Sequence, residues 1–174
     1  MEFQINRVAF GDTVLLRRGL VLMAEAFTNG EPEALAPNGE GVLLLDYGML
    51  WVQALQDYWQ LTGDGATVLQ LYTSLQELME YLRGYEHPDT GLLDVPPGHW
   101  SRTALVDWPV WHSRYGQSAA LNSLYYRTLL DAVALAEGIG DLTSATTYVQ
   151  RADRVKEQLN KRLYLQQQQR YASS

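Results

Sequence analysis

At 174 residues, with 47% hydrophobic and 19% charged side chains, the chain has the size and composition of one globular unit with a substantial core. A formal charge of -7 argues against a nucleic-acid surface or a polybasic membrane patch, because both need clustered Lys and Arg. With no cysteine, disulfides, thiol nucleophiles and thiolate metal sites are excluded.

The opening Met1-Glu2-Phe3-Gln4-Ile5-Asn6 lacks the basic and then apolar regions of a signal peptide. No apolar run approaches the ~20 residues that cross a bilayer. A cytoplasmic location is the default expectation. Periodicity then predicts five helices. Residues 13–28 form an amphipathic helix with Arg17, Arg18 and Glu25 as polar members. Residues 44–62 carry few charges, and Tyr47, Trp51, Ala54, Leu55, Tyr58 and Trp59 spread around most of the circumference, which predicts burial on nearly all sides. Val68, Leu71, Tyr72, Leu75, Leu78, Met79 and Leu82 make an unbroken i, i+3, i+4 stripe. Residues 118–138 resemble the second helix, with Leu121, Leu124, Tyr125, Leu129 and Leu135 on several faces. The fifth stripe runs from Leu142 through Tyr148, Val149, Ala152 and Val155 to Leu163. Residues 166–174, with a Gln run and a terminal Ser pair, read as a frayed tail behind a domain over 1–165.

Gly11-Asp12, Gly63-Asp64 and Gly140-Asp141 each precede one of the amphipathic helices. Gly suits the left-handed position that ends a helix and Asp suits the N-cap of the next. Inner helix, Gly-Asp and outer helix thus make an αα-hairpin, twice. Asp64 and Asp141 stand 77 positions apart, and the same offset pairs Leu44 with Leu121 and Leu82 with Leu159. The connections from outer to inner helices, 29–43 and 84–117, are long, so both emerge at one end with the N-termini of the buried helices. Long loops in compact domains are commonly functional, and these hold much of the Trp, His and Pro.

The stretch Leu45-Asp46-Tyr47-Gly48-Met49-Leu50-Trp51-Val52, with Leu55 to Asp64, resembles a segment of the α-L-rhamnosidase family of glycoside hydrolases. So do Asp89-Thr90-Gly91-Leu92-Leu93, Trp100, Leu105-Val106-Asp107-Trp108-Pro109 and Leu121-Asn122-Ser123-Leu124-Tyr125-Tyr126, and the order and spacing hold over about 8–164. The resemblance implies an all-α fold: helical hairpins of an incomplete (α/α)6 toroid, about two and a half of its six hairpins, here with about five main helices. It also implies inverting hydrolysis of terminal rhamnosides without a metal or other cofactor. The family's general acid lies in a carboxylate-rich motif upstream of the matched region and its base downstream. Neither motif occurs here, and Arg7-Val8-Ala9-Phe10-Gly11-Asp12 lacks the acidic residue and the Trp of the upstream one. Inversion needs two carboxyl groups flanking the scissile bond. No catalytic residue is therefore assigned, and the isolated chain is expected to be inactive.

Five residues are candidates for sugar binding. Asp107 and Trp108 pair a carboxylate for hydroxyl groups with an aromatic face for C–H surfaces; alternatively Asp107 caps a turn before Pro109 and Trp108 closes the core. Trp100 either faces the cleft or anchors its loop; Trp111 and His112 favour a structural role. Asp46 and Tyr47 open the first buried helix, where Asp46 serves as an N-cap or first-turn acid or as a hydroxyl-binding carboxylate at the rim. Asn122, inside the second buried helix, is expected to bond backbone or a neighbouring helix. Glu86 and Asp89 read as a solvated turn. His87, His99 and His112 are too far apart in a Pro-rich loop to suggest a metal site. The expected partner is a rhamnoside-like carbohydrate, with self-association through uncovered apolar helix faces. A noncatalytic carbohydrate-binding module and a helical interaction scaffold are the competing readings.

Overall fold

The computed structural model describes residues 11–37, 41–98, 104–105 and 115–172. Five long helices appear in the expected order: α1 Val14–Ala26, α2 Leu45–Thr62, α3 Gly65–Arg83, α4 Ala119–Ile139 and α5 Leu142–Gln158. A short π-helical turn, Leu159–Leu163, continues α5.

The hairpin turns follow from local chemistry. Gly63 and Gly140 end α2 and α4 with φ of 68° and 87°, the left-handed conformation that costs Gly little. Asp64 then accepts the Thr67 backbone N–H at 3.0 Å, and Asp141 accepts that of Ser144 at the same distance. These are N-caps that satisfy otherwise orphaned donors. At α1 the N-cap is Thr13, and Asp12 accepts the Val14 N–H from one residue earlier.

The hydrophobic interior lies where α2 and α4 run beside one another, backed by α3 and α5. Met49, Trp51, Val52 and Leu55 of α2, Val68, Leu75, Leu78 and Leu82 of α3, and Tyr125, Leu129 and Leu135 of α4 are all buried. The Trp51 indole N–H donates to the Leu20 carbonyl at 3.0 Å, and its ring meets Phe27 edge-on, which seats α1 against α2. Near the far ends of α2 and α4, the Trp59 ring lies on Gly138 so closely that a Cβ there would overlap it. This contact fixes the two helices as parallel neighbours.

Two expectations need correction. The two charge-poor helices are not buried on nearly all sides: Leu50 on α2 and Leu130 on α4 are 48% and 41% exposed, so one stripe of each faces out. The end of the chain is not without structure as far as residue 172. Tyr164–Leu165 pairs antiparallel with Arg170–Tyr171 around a 3-10 turn at Gln166–Gln168, and the two tyrosine rings stand 5.1 Å apart.

Candidate functional site

The long loops and the starts of α2 and α4 lie at one end of the molecule. The second loop shows how. It leaves α3, and its first stretch is driven into the core by Leu92, Leu93 and Val95, all essentially buried. Val95 and Gly116 exchange two backbone hydrogen bonds, 3.2 and 2.7 Å, and so bring the two flanks of the loop together. The Tyr115 hydroxyl reaches the Gly98 carbonyl at 3.1 Å.

Two buried polar side chains, one from each inner helix, hold this loop. Asn122, in the first turn of α4 and fully buried, accepts the Leu93 N–H through Oδ1 at 2.7 Å and donates through Nδ2 to the Leu93 carbonyl at 3.0 Å and to Ser118 O at 2.9 Å. The expectation that it bonds backbone is met. Asp46, in the first turn of α2 and 5% exposed, accepts the Leu105 N–H at 3.0 Å. Leu44, not Asp46, occupies the N-cap position of that helix. The Asp46 carboxylate therefore points across to the second loop. Tyr47, its neighbour, is half-buried.

Trp100, Asp107 and Trp108 lie outside the described residues, as do His99, Trp111 and His112. Ala104, between Trp100 and Asp107 in sequence, is fully buried beside the tethered Leu105. Of the five candidate sugar residues, Asp46 and Tyr47 alone are among the described residues, in the first turn of α2.

Other polar clusters were missed or misread from sequence. Glu33, 4% exposed, gathers three backbone donors: Gly41 and Val42 at 3.0 Å and Leu35 at 3.4 Å. One buried carboxylate thereby closes the first long loop on itself. Glu86 is not part of a solvated turn. It pairs with Arg151 of α5 at 2.9 Å and accepts the Tyr125 hydroxyl at 2.5 Å, while Arg151 also reaches that hydroxyl and the Met79 carbonyl. Burial pushes the Tyr125 hydroxyl far above its ordinary range, so it stays protonated as a donor. Asp89 of the same turn is exposed, as expected. A signal for Arg151 existed: it sits at helical spacing within the Tyr148, Ala152, Val155 stripe, where a cation needs a partner.

On the outer wall, a groove of about 310 Å³ between α3 and α5 is lined by Gln76, Glu80, Arg83, Tyr148 and Arg151, among others. Both of its arginines are already paired, Arg83 with Glu80 and Arg151 with Glu86. On the inner helices Arg127 and Asp131 pair at 2.8 Å beside the exposed stripe of α4.

Comparison with known proteins agrees with this architecture. Residues 4–174 match the model of the bacterial alpha-L-rhamnosidase 6 hairpin glycosidase domain. The fold superposes on a GH78 family rhamnosidase of Bacillus sp. GL1 with a TM-score of 0.85 and 23% identity, over 96% of this chain and 17% of that one. It superposes on a rhamnosidase from Klebsiella oxytoca, solved with rhamnose bound, with a TM-score of 0.79 and 27% identity, over 98% of this chain and 33% of that one. The chain thus spans a third or less of the length of these structural relatives. No protein of curated function matches it in sequence. The two capped hairpins, the paired inner helices and a family match over nearly the whole chain agree: the protein belongs to the bacterial α-L-rhamnosidase six-hairpin glycosidase domain family.

Proposed function

We propose that this chain forms one wall of a sugar cleft in a glycoside hydrolase barrel that cleaves terminal rhamnosides with inversion. The observation that carries the reading is the joint placement of both inner-helix N-termini under one long loop, through Asp46 and Asn122. That loop holds Trp100, Asp107 and Trp108, the side chains best suited to a saccharide's hydroxyl groups and apolar faces. The relative from Klebsiella oxytoca was solved with rhamnose bound, which supports a rhamnoside as the sugar. Catalysis needs a raised-pKa acid and an ionised base on opposite sides of the scissile bond. Because neither motif is in this sequence, the 174-residue chain alone binds and does not hydrolyse.

Calorimetric titration of the chain with L-rhamnose is the test. Saturable binding, weakened by Asp107→Ala and by Trp108→Ala, supports the reading; absence of any binding at tens of millimolar sugar removes it. A parallel assay on an aryl rhamnoside decides whether the chain turns over by itself. Hydrolysis there would overturn the claim that the missing motifs are required. We also propose that the uncovered stripes bearing Leu50 and Leu130 promote self-association of the isolated chain.

A further inference from the structure

The outer helices α3 and α5 do not pack closely on each other, and polar contacts join them instead. Tyr72 and Gln76 reach Asp141 at the start of α5, at 2.9 and 3.3 Å, and further along Arg151 donates to the Met79 carbonyl at 3.0 Å. The groove of about 310 Å³ opens along this seam. Its volume lies at the small end of the ~300–1,000 Å³ typical of small-molecule sites. Buried Met79 and Tyr148 close its floor, and exposed Gln76, Glu80, Arg83 and Thr147 stand on its walls. The seam between α1 and α3 is bridged differently. There Arg17 crosses from α1 and donates to Thr67 at 2.7 Å and to Gln70 at 3.3 Å. The 77-residue offset places Ser144 and Thr147 at the positions of Thr67 and Gln70. Among the described residues no cation crosses to Thr147. Arg83 turns back to Glu80 on its own helix, and Arg151 is taken up by Glu86, Met79 and Tyr125.

Hydrogen-bonding capacity remains on both walls. Arg83 and Arg151 spend Nε and Nη2 on those bonds and leave Nη1 unused among the described residues. Gln76 donates through its amide nitrogen and keeps its carbonyl oxygen as an acceptor. The Thr147 hydroxyl donates to the Thr143 carbonyl at 3.1 Å and keeps its lone pairs. Each arginine is matched by a glutamate, so the groove does not select an ion. Donors and acceptors side by side over an apolar floor match a small neutral molecule whose hydroxyl groups both give and accept. We propose that this groove is a carbohydrate site separate from the cleft: it takes one neutral hexose unit on the outer wall, held by Gln76, Arg83 and Thr147 above Met79 and Tyr148. The proposal does not rest on the cleft reading, since none of these residues is a cleft candidate.

The experiment follows backbone amide shifts of the 174-residue chain by NMR during titration with D-glucose and, separately, with L-rhamnose. Saturable shifts in the millimolar range are expected at residues 76–83 and 143–151 with at least one of the two sugars. Thr147→Trp, an exposed substitution that fills the groove, should abolish them. Arg83→Ala, which removes a donor from the wall, should weaken binding at least ~5-fold, the worth of about one hydrogen bond. Asp107→Ala should leave these shifts as they are. No saturable shift at those amides with tens of millimolar of either sugar would overturn the proposal. So would binding that Thr147→Trp leaves unchanged, or shifts that vanish in Asp107→Ala, which would place the sugar in the cleft. Inorganic phosphate shifting the same amides at lower concentration than sugar would mark an anion site and overturn it too. Should Thr147→Trp fail to fold, Arg83→Ala still decides, because parent-like affinity there overturns the groove. Loop amides such as Leu93 and Leu105 report the cleft separately, so either site can fail without the other.

Discussion

Replacing Arg151 with Met removes a guanidinium that four elements share. It pairs with Glu86 of the second loop, bonds the Met79 carbonyl near the end of α3, touches the Tyr125 hydroxyl of α4, and is itself part of α5. Met keeps most of the stem's packing, so the perturbation is mainly electrostatic. Deleting one partner of a fully buried pair costs about 3–5 kcal/mol, because the other charge is left without compensation. Here the side chains are 12% and 14% exposed, so water reaches the pair slightly, and ~2–4 kcal/mol is the working figure. For a domain of this length that lowers Tm by roughly 4–16 °C. Glu86→Gln keeps an acceptor for Arg151 and Tyr125 but leaves the Arg151 charge uncompensated, so it should cost a similar ~2–4 kcal/mol. Urea denaturation of the two single variants and the double variant completes a thermodynamic cycle. The double variant should fall short of the summed single losses by at least ~1 kcal/mol. Additive losses, or an Arg151→Met cost below ~1 kcal/mol, would refute the view that this cluster binds four elements together.

The remaining predictions concern backbone, capping and association. Gly30 has φ of 79° and a Cβ there would lie 2.3 Å from the Glu77 carbonyl oxygen, whereas Gly63 has φ of 68° and open space around it. Gly63→Ala should therefore cost only the left-handed penalty of ~1–2 kcal/mol, and Gly30→Ala at least ~2 kcal/mol more, both read by urea denaturation. The Asp64 carboxyl is held at about 2, chiefly by the Thr67 hydroxyl and N–H and by the Tyr58 hydroxyl. Because this folded value lies below the ordinary carboxyl pKa, the cap's contribution is complete above about pH 4–5 and is lost as pH falls through about 2. Asp64→Ala should cost ~1–2 kcal/mol at pH 7 and much less near pH 2, as thermal denaturation at both pH values would show. Sedimentation velocity should show self-association that Leu50→Glu and Leu130→Glu suppress; a compact monomer at every concentration would count against it.

What was legible in the sequence had a local cause. Gly63-Asp64 and Gly140-Asp141 announce their turns because a left-handed backbone and an N-cap each select a few residue types. The inner helices declared themselves through aromatics and scarce charge, although Leu50 and Leu130 show that apolar composition alone does not tell which faces are covered. What escaped notice depends on partners distant in sequence. Nothing near Glu86 points to Arg151, 65 positions away, and nothing near Glu33 announces three backbone donors. The hairpin after residue 163 turns through Gln169 at φ of 48°, without a Gly or Asn to mark it. Its support is tertiary: the Tyr164–Tyr171 ring contact and a 2.7 Å bond from the Tyr171 hydroxyl to Asn160.

The cap carboxylates explain how successive hairpins are set in register. Each cap receives side chains from its own hairpin or from the preceding outer helix. At Asp64 these are the Tyr58 hydroxyl from α2 and, at 3.9 Å, the Arg17 guanidinium from α1. Arg17 also donates to Thr67 at 2.7 Å, which in turn donates to Asp64. At Asp141 the donors are the Tyr72 hydroxyl at 2.9 Å and the Gln76 amide at 3.3 Å, both from α3. The Asp that starts an outer helix is therefore also the acceptor that receives the outer helix before it. Coupling of this kind runs from neighbour to neighbour, as in repeat proteins, and does not require a closed ring. It gives a physical reason why α1 to α5 hold their relative positions in a chain that covers 17% and 33% of its longer structural relatives.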